Sequence, residues 1–124
     1  MLKECNAMAT LAVRDIAAAR KFYCDTLGLE PAQEEPQMLA LRSGASTVLV
    51  YESAHAGTNR ANAATWEVTG DLAALVQDLK SRGVRFEHYD LLGTRLDGDL
   101  HIQGARQVAW CKDPDGNILC LAHG

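Results

Sequence analysis

Ala9-Thr10-Leu11-Ala12-Val13-Arg14-Asp15-Ile16-Ala17-Ala18 lies over Ala64-Thr65-Trp66-Glu67-Val68-Thr69-Gly70-Asp71-Leu72-Ala73-Ala74 once a single inserted residue is allowed. In each copy an alternating stretch, which reads as a strand, runs into an aspartate. That carboxylate can accept the free backbone N–H groups of a first helical turn, so Asp15 and Asp71 read as helix N-caps. Behind Asp71, Leu72, Leu75, Val76 and Leu79 recur at the spacing of one helical face, while Asp78, Lys80 and Arg82 fall elsewhere. Behind Asp15, Ile16, Ala19, Phe22, Tyr23 and Leu27 form a similar stripe. Both helices end at a glycine, Gly28 or Gly83, which can take the left-handed conformation of a C-terminal cap.

Outward from this duplicated unit, a short strand is predicted around Ala32 to Glu35. A hairpin follows, of Met38 to Leu41 and Thr47 to Tyr51 around Ser43-Gly44-Ala45. Val84 to Tyr89 reads as a strand, and the glycine-rich, weakly periodic segment Leu91 to Ala105 as a long loop. The chain closes with a hairpin in which Gln107 to Lys112 and Ile118 to Ala122 flank Asp113-Pro114-Asp115-Gly116-Asn117. Proline fixes φ in that turn and glycine permits φ > 0. The sum is an α+β domain over residues 1–124, βαβββ twice, with module 1 at about 1–60 and module 2 at about 61–124.

The 124 residues, 48% of them apolar, suit one domain with one core. Twelve basic and 16 acidic side chains give a net charge of −4, and no basic run is present to track a phosphate backbone, so nucleic acid is not an expected partner. Met1 to Ala9 mixes Lys3, Glu4 and Asn6 with apolar residues. It lacks the apolar centre of a signal peptide and is too short to span a bilayer, which points to the cytoplasm. Cys5, Cys24, Cys111 and Cys120 show no C-x-x-C pairing and are expected to stay reduced, without a structural zinc.

The stretch V-R-D-I-x-x-A-x-x-F-Y at Val13 to Tyr23 and D-P-D-G-N at Asp113 to Asn117, at this separation and with the repeat between them, resemble the vicinal-oxygen-chelate superfamily of glyoxalases, bleomycin-resistance proteins and extradiol dioxygenases. The resemblance covers nearly the whole chain and is nearest to small bacterial members. It implies that the mixed sheets of the two modules curl into a cup that holds a small molecule, and that two chains pair as a homodimer. It also implies where metal ligands would stand: Met8 on the first strand, Ala63 on its counterpart in module 2, and Cys120 on the last strand. None is the ligand usual in the family. Thioether and thiolate are soft donors suited to copper(I) or zinc rather than Mn, Mg or Fe, and alanine has no donor. No cofactor is therefore expected.

Because strand residues two apart share a face, Met8, Ala63 and Cys120 bring Thr10 and Ala12, Thr65 and Glu67, and Ile118 and Ala122 onto the cup side. Leu11, Val13, Trp66, Val68, Leu119 and Leu121 then face the helices. The resemblance adds Trp110 and Val108 to the cup, Trp110 serving either to stack a planar ligand or to pack the core. Glu67 is the candidate catalytic base if the apolar cup desolvates its carboxylate. The alternative is a solvated rim residue or an arginine partner. Cys120 is a candidate nucleophile or simple core filling.

Of the four histidines, none at metal-binding spacing, His101 in the long loop is the one placed to close over a ligand, and His123 reads as terminal. Of His88 and Tyr89 only one can face the cup, and Tyr89 is preferred. Tyr51 can bond a ligand or stabilise the rim. The candidate ligand-binding set is thus Met8, Thr10, Tyr51, Thr65, Glu67, Tyr89, His101, Trp110 and Cys120. Two functions fit it: metal-independent binding of a small hydrophobic or planar molecule, or lyase, isomerase or dioxygenase chemistry using Glu67 or a metal on an unconventional ligand set.

Overall fold

In a computed structural model, which describes residues 1–124, the strands divide into two mixed sheets. The first holds β1 (Ala9–Val13), β2 (Glu30–Glu35), β3 (Met38–Ser43) and β4 (Ser46–Glu52) in the order β1-β4-β3-β2, with β1 and β4 parallel. The second holds β5 (Asn62–Glu67), β6 (Phe86–Glu87), β7 (Arg95–Asp97), β8 (Leu100–Gln103), β9 (Arg106–Lys112) and β10 (Ile118–His123). Its order is β5-β10-β9-β8-β7, with β5 and β10 parallel. A helix follows the first strand of each sheet: α1 (Ile16–Arg20) after β1 and α2 (Leu72–Ser81) after β5. Neither is long and apolar enough to cross a membrane.

Local chemistry starts and stops both helices as the sequence predicts. Asp15 Oδ1 accepts from the backbone N–H groups of Ala17 and Ala18, and Asp71 Oδ1 from that of Ala74. The chain leaves each helix through a left-handed glycine, Gly28 at φ +81° and Gly83 at φ +93°. The first helix widens into a π-helical turn over Lys21–Thr26, where the Leu27 N–H bonds the Phe22 carbonyl five residues back. This turn lets the consecutive rings of Phe22 and Tyr23 meet edge to face, with centroids 5.1 Å apart.

One face of each sheet carries the core. Leu11 and Val13 of β1, Leu39 and Leu41 of β3, Leu119 and Leu121 of β10, and Leu72, Val76 and Leu79 of α2 belong to a single buried apolar cluster that crosses both modules. The strand β2 lies at the sheet edge with all six residues exposed, and its Glu30, Pro31, Glu34 and Glu35 discourage a further strand from pairing there.

Two expectations need correction. The segment Leu91 to Ala105 is not a loop: β7 and β8 form a hairpin across Gly98, at φ +62°, and extend the second sheet. The strand expected over Val84 to Tyr89 pairs only at Phe86 and Glu87. Both follow from one arrangement. The outer edge of β9 is shared, with β8 taking Arg106 to Val108 and β6 taking Trp110 and Cys111. Module 2 is thus βαβββ with a hairpin inserted after its short second strand.

Candidate functional site

Register defines the face of each sheet that carries no helix, hereafter the open face. On the second sheet Cys120 pairs with Thr65 on one side and Trp110 on the other, and Ala122 with Glu67 and Val108. Val108 pairs in turn with His101, and Trp110 with Glu87. On the first sheet Thr10 pairs with Leu49, and Tyr51 pairs with both Ala12 and Met38. Directly paired residues share a face, so Thr10, Tyr51, Thr65, Glu67, His101, Trp110 and Cys120 all belong to open faces.

Three of these candidates meet. The Trp110 ring stands edge to face against His101 (centroids 4.7 Å, 83°) and against Tyr89 (5.3 Å, 78°), while Tyr89 and His101 lie 6.1 Å apart. Tyr89 reaches the cluster because the chain leaves the ladder after Glu87. His101 reaches it from β8, where it is buried at 2% exposure. It is therefore a fixed wall and not the mobile loop residue the sequence suggested.

The Tyr89 backbone N–H donates to His101 Nε2 at 2.9 Å. Nε2 accordingly carries no proton, and the imidazole keeps its proton on Nδ1. That Nδ1 and the Tyr89 hydroxyl are both buried and both lack a hydrogen-bond partner. Trp110 Nε1, by contrast, donates to Asn62 Oδ1 at 3.0 Å.

Two clefts adjoin this face. One of about 360 Å³ runs beside Tyr89, between His88, Asp90, Leu91, Thr94 and Leu96. The other, of about 230 Å³, lies where the modules meet and is bordered by Thr10, Ala12, Tyr51, His55, Asn62 and Ala63. Of the polar groups of the second, His55 is one of the four histidines set aside for want of metal-binding spacing, and Asn59 and Asn62 carry no signal in the sequence that singles them out. They come from the connection between modules and the first residue of β5, where no periodicity marks a face.

Glu67 is not sequestered by an apolar cup. Its side chain is 64% exposed, and Arg106, which stands on the same face one pairing row away, donates to Oε1 at 3.0 Å and to the Gly124 carbonyl at 3.2 Å. The carboxylate that the sequence offers as a catalytic base is thus exposed and paired with an arginine, not enclosed by apolar side chains. Cys120 is buried, and burial pushes its thiol up, partly offset by Thr65 and Arg106, so it holds its proton and is a poor nucleophile.

Met8 precedes β1 at 48% exposure rather than standing in the ladder. The exposed thioether of Met8, the donorless Ala63 and the protonated thiol of Cys120 do not make a ligand set for Mg, Mn or Fe. No group of three His, Cys, Asp or Glu side chains converges elsewhere in the chain. His123, which reads as terminal in the sequence, bonds the Val68 carbonyl through Nδ1 at 2.7 Å and ties down the edge of β5.

Comparison with known proteins agrees with this architecture. A family model described as Glyoxalase/Bleomycin resistance protein/Dioxygenase superfamily matches residues 6–121. None of the curated proteins compared with the sequence matches it. Among solved structures, a glyoxalase family protein from Enterococcus faecalis superposes with a TM-score of 0.74 at 18% identity, over 98% of this chain and 99% of that one. The fosfomycin resistance protein FosX from Listeria monocytogenes gives 0.73 at 14% identity, over 96% and 92%. The bleomycin-binding protein from Streptomyces verticillus, solved with copper(II)-bleomycin, gives 0.72 at 24% identity, over 100% and 99%. At these identities the superpositions establish a shared fold, and the sequence match over most of the chain establishes the family: the protein belongs to the glyoxalase/bleomycin resistance protein/dioxygenase superfamily.

Proposed function

We propose that this protein binds a small hydrophobic or planar molecule on the open face of its second sheet and requires no resident metal to do so. The observation that carries the reading is the Tyr89–His101–Trp110 cluster. The half-buried Trp110 ring meets Tyr89 and His101 edge to face, Tyr89 lines a cleft of about 360 Å³, and two buried polar atoms of the cluster, Tyr89 Oη and His101 Nδ1, lack partners. The S. verticillus neighbour, solved with copper(II)-bleomycin, is a precedent on the same fold for binding a small molecule. We also propose a cytoplasmic location, and a homodimer, because the open face of the first sheet leaves the Tyr51 ring exposed at 42%, where a second copy would cover it.

The test is fluorescence titration of Trp66→Phe protein, in which Trp110 is the sole indole, with metal-free bleomycin, copper(II)-bleomycin and a panel of neutral bicyclic aromatics. Saturable quenching that persists in EDTA supports the reading. Absence of quenching throughout the panel, or quenching that appears only after a divalent metal is added, overturns it. Light scattering at micromolar concentration decides the dimer, which a monomeric mass eliminates.

A further inference from the structure

The two tryptophans lie on opposite faces of the second sheet, and Trp66 lines a separate cavity. Trp110 and Cys120 face the open side, while their neighbours Cys111, Leu119 and Leu121 point beneath α2. There a cavity of about 290 Å³ opens between the modules. Its floor is Cys111, Leu119, Leu121 and Leu79, all at least nine-tenths buried. Its walls are half-buried apolar side chains from both modules: Leu27 and Leu29, which follow the π-helical turn, and Trp66, Val68 and Leu75 from module 2.

We propose that this cavity is a second binding site, independent of the open face, for a small neutral apolar molecule of one or two rings carrying a single hydrogen-bond acceptor. Size selects the class. An apolar protein cavity of about 150 Å³ stays dry and takes up benzene, so a space of about twice that admits a bicyclic molecule and is too small for a segment of a protein partner. The depth argues the same way, because a flat macromolecular surface could not reach the buried floor.

Polar groups are confined to the rim and are mostly engaged. Trp66 Nε1 donates to Ser43 Oγ at 2.8 Å, which leaves the Ser43 hydroxyl proton free to donate to an acceptor on the ligand. No lysine, arginine or histidine lines the cavity, so nothing in it would pair with an anion. An occupant touches Leu27, Leu29 and Ser43 of one module and Trp66 and Leu75 of the other, so it joins the two modules as well as filling space.

The indole N–H resonances of the wild-type protein provide the test, assigned with Trp66→Phe. On titration with 2-naphthol to its solubility limit, the Trp66 indole signal is expected to shift saturably, whether or not the Trp110 signal moves as well through the open face, and the thermal midpoint is expected to rise. Leu75→Trp, a substitution at the half-exposed rim, is expected to abolish the Trp66 shift with the fold retained by circular dichroism. Should that variant misfold, Leu29→Phe narrows the same wall from the other module. Movement of the Trp110 signal alone, no movement of either, or a Trp66 shift that survives wall-filling each overturns the proposal.

Discussion

Tyr23 Oη donates a 2.7 Å hydrogen bond to Asp113 Oδ2 across 90 residues of chain, so the two motifs that carry the family resemblance touch each other. Asp113 Oδ1 also accepts from the backbone N–H groups of Asp115 (2.9 Å) and Asn117 (2.8 Å), and Oδ2 from Asn117 Nδ2 (2.8 Å). Asn117 Nδ2 reaches on to the Ala12 carbonyl at 2.7 Å, and Asp115 Oδ2 accepts from the Arg14 N–H at 3.2 Å. The D-P-D-G-N turn thus grips the end of β1 and the first helix, which makes it a clasp between modules as well as a hairpin turn.

Burial, reinforced by the Asp113 carboxylate, pushes the Tyr23 phenol above its ordinary value, so it remains a donor at every working pH. Removing that hydroxyl leaves a buried carboxylate short of one donor. Tyr23→Phe should therefore lose about 1.5–3 kcal/mol, the range for hydrogen bonds to charged groups. Asp113→Asn should lose more, because its amide hydrogens would face the donors of Asp115 or Asn117. Urea midpoints with unchanged slopes check both, and a Tyr23→Phe loss below about 0.5 kcal/mol would remove the clasp from the account.

Gly57 closes the same clasp from the other side. Its φ is +77°, and a Cβ built there would stand 2.0 Å from the Asp115 carbonyl oxygen, a contact with backbone that cannot swing away. Gly44, at φ +57° in the β3–β4 turn, has open space around it. Gly44→Ala should therefore lose about 1 kcal/mol, the ordinary left-handed penalty, and Gly57→Ala several-fold more, since the turn must also shift. Comparable losses in thermal unfolding would show that the loop before β5 is not pressed on the turn.

Much of the fold was legible because it rests on short-range rules. The caps at Asp15 and Asp71, the stripe of Leu72, Val76 and Leu79, and the left-handed exits at Gly28 and Gly83 each depend on a few adjacent residues. The β7–β8 hairpin was missed although Leu96, Leu100 and Ile102 alternate around Asp97-Gly98-Asp99. The strands are only three and four residues long, and the glycines on either side outweigh the alternation.

The resemblance supplies which face of β9 and β10 is the open one and alternation carries it along β5 and β10, so Thr65, Trp110 and Cys120 stand on the expected face. How deep each side chain sits did not follow. Glu67 stands on the expected face yet remains exposed because Arg106 and the chain end hold it at the rim. Burial of His101 depends on Tyr89 and Trp110 closing over it, contacts between residues 9 to 21 positions apart that no local pattern encodes.

Asp99 sets a pH dependence. Its carboxylate accepts from Lys80 Nζ at 2.7 Å and meets His88 Nε2 at 2.8 Å, and these hydrogen bonds, the lysine's first, hold its carboxyl below the ordinary 3.8. A folded value below the unfolded one means that the unfolded chain binds the proton more tightly. The stabilisation is then complete above about pH 3.8 and is lost as pH falls through the lowered folded value. The partners are about half exposed, so the effect belongs in the surface range of about 0.2–1 kcal/mol. Wild type and Asp99→Asn should differ by that amount at neutral pH and converge under acid. A gap that widens on acidification would contradict the assignment.

Tyr89 separates function from stability at the open face. A buried hydroxyl without a partner carries a desolvation penalty of about 1–3 kcal/mol, and replacing it with hydrogen leaves the edge-to-face ring contacts intact. Tyr89→Phe should therefore leave the free protein as stable as wild type or up to about 1 kcal/mol more stable, an unusual sign for a substitution in a packed cluster. If a ligand supplies the missing partner, the same change should weaken its binding about fivefold or more, the equivalent of one hydrogen bond of about 1 kcal/mol. Stability rising while affinity falls would mark the hydroxyl as kept for binding. A loss of stability instead would mean that Tyr89 Oη has a partner in solution, an ordered water or a second copy of the chain, and the case for a ligand at that atom would fall with it.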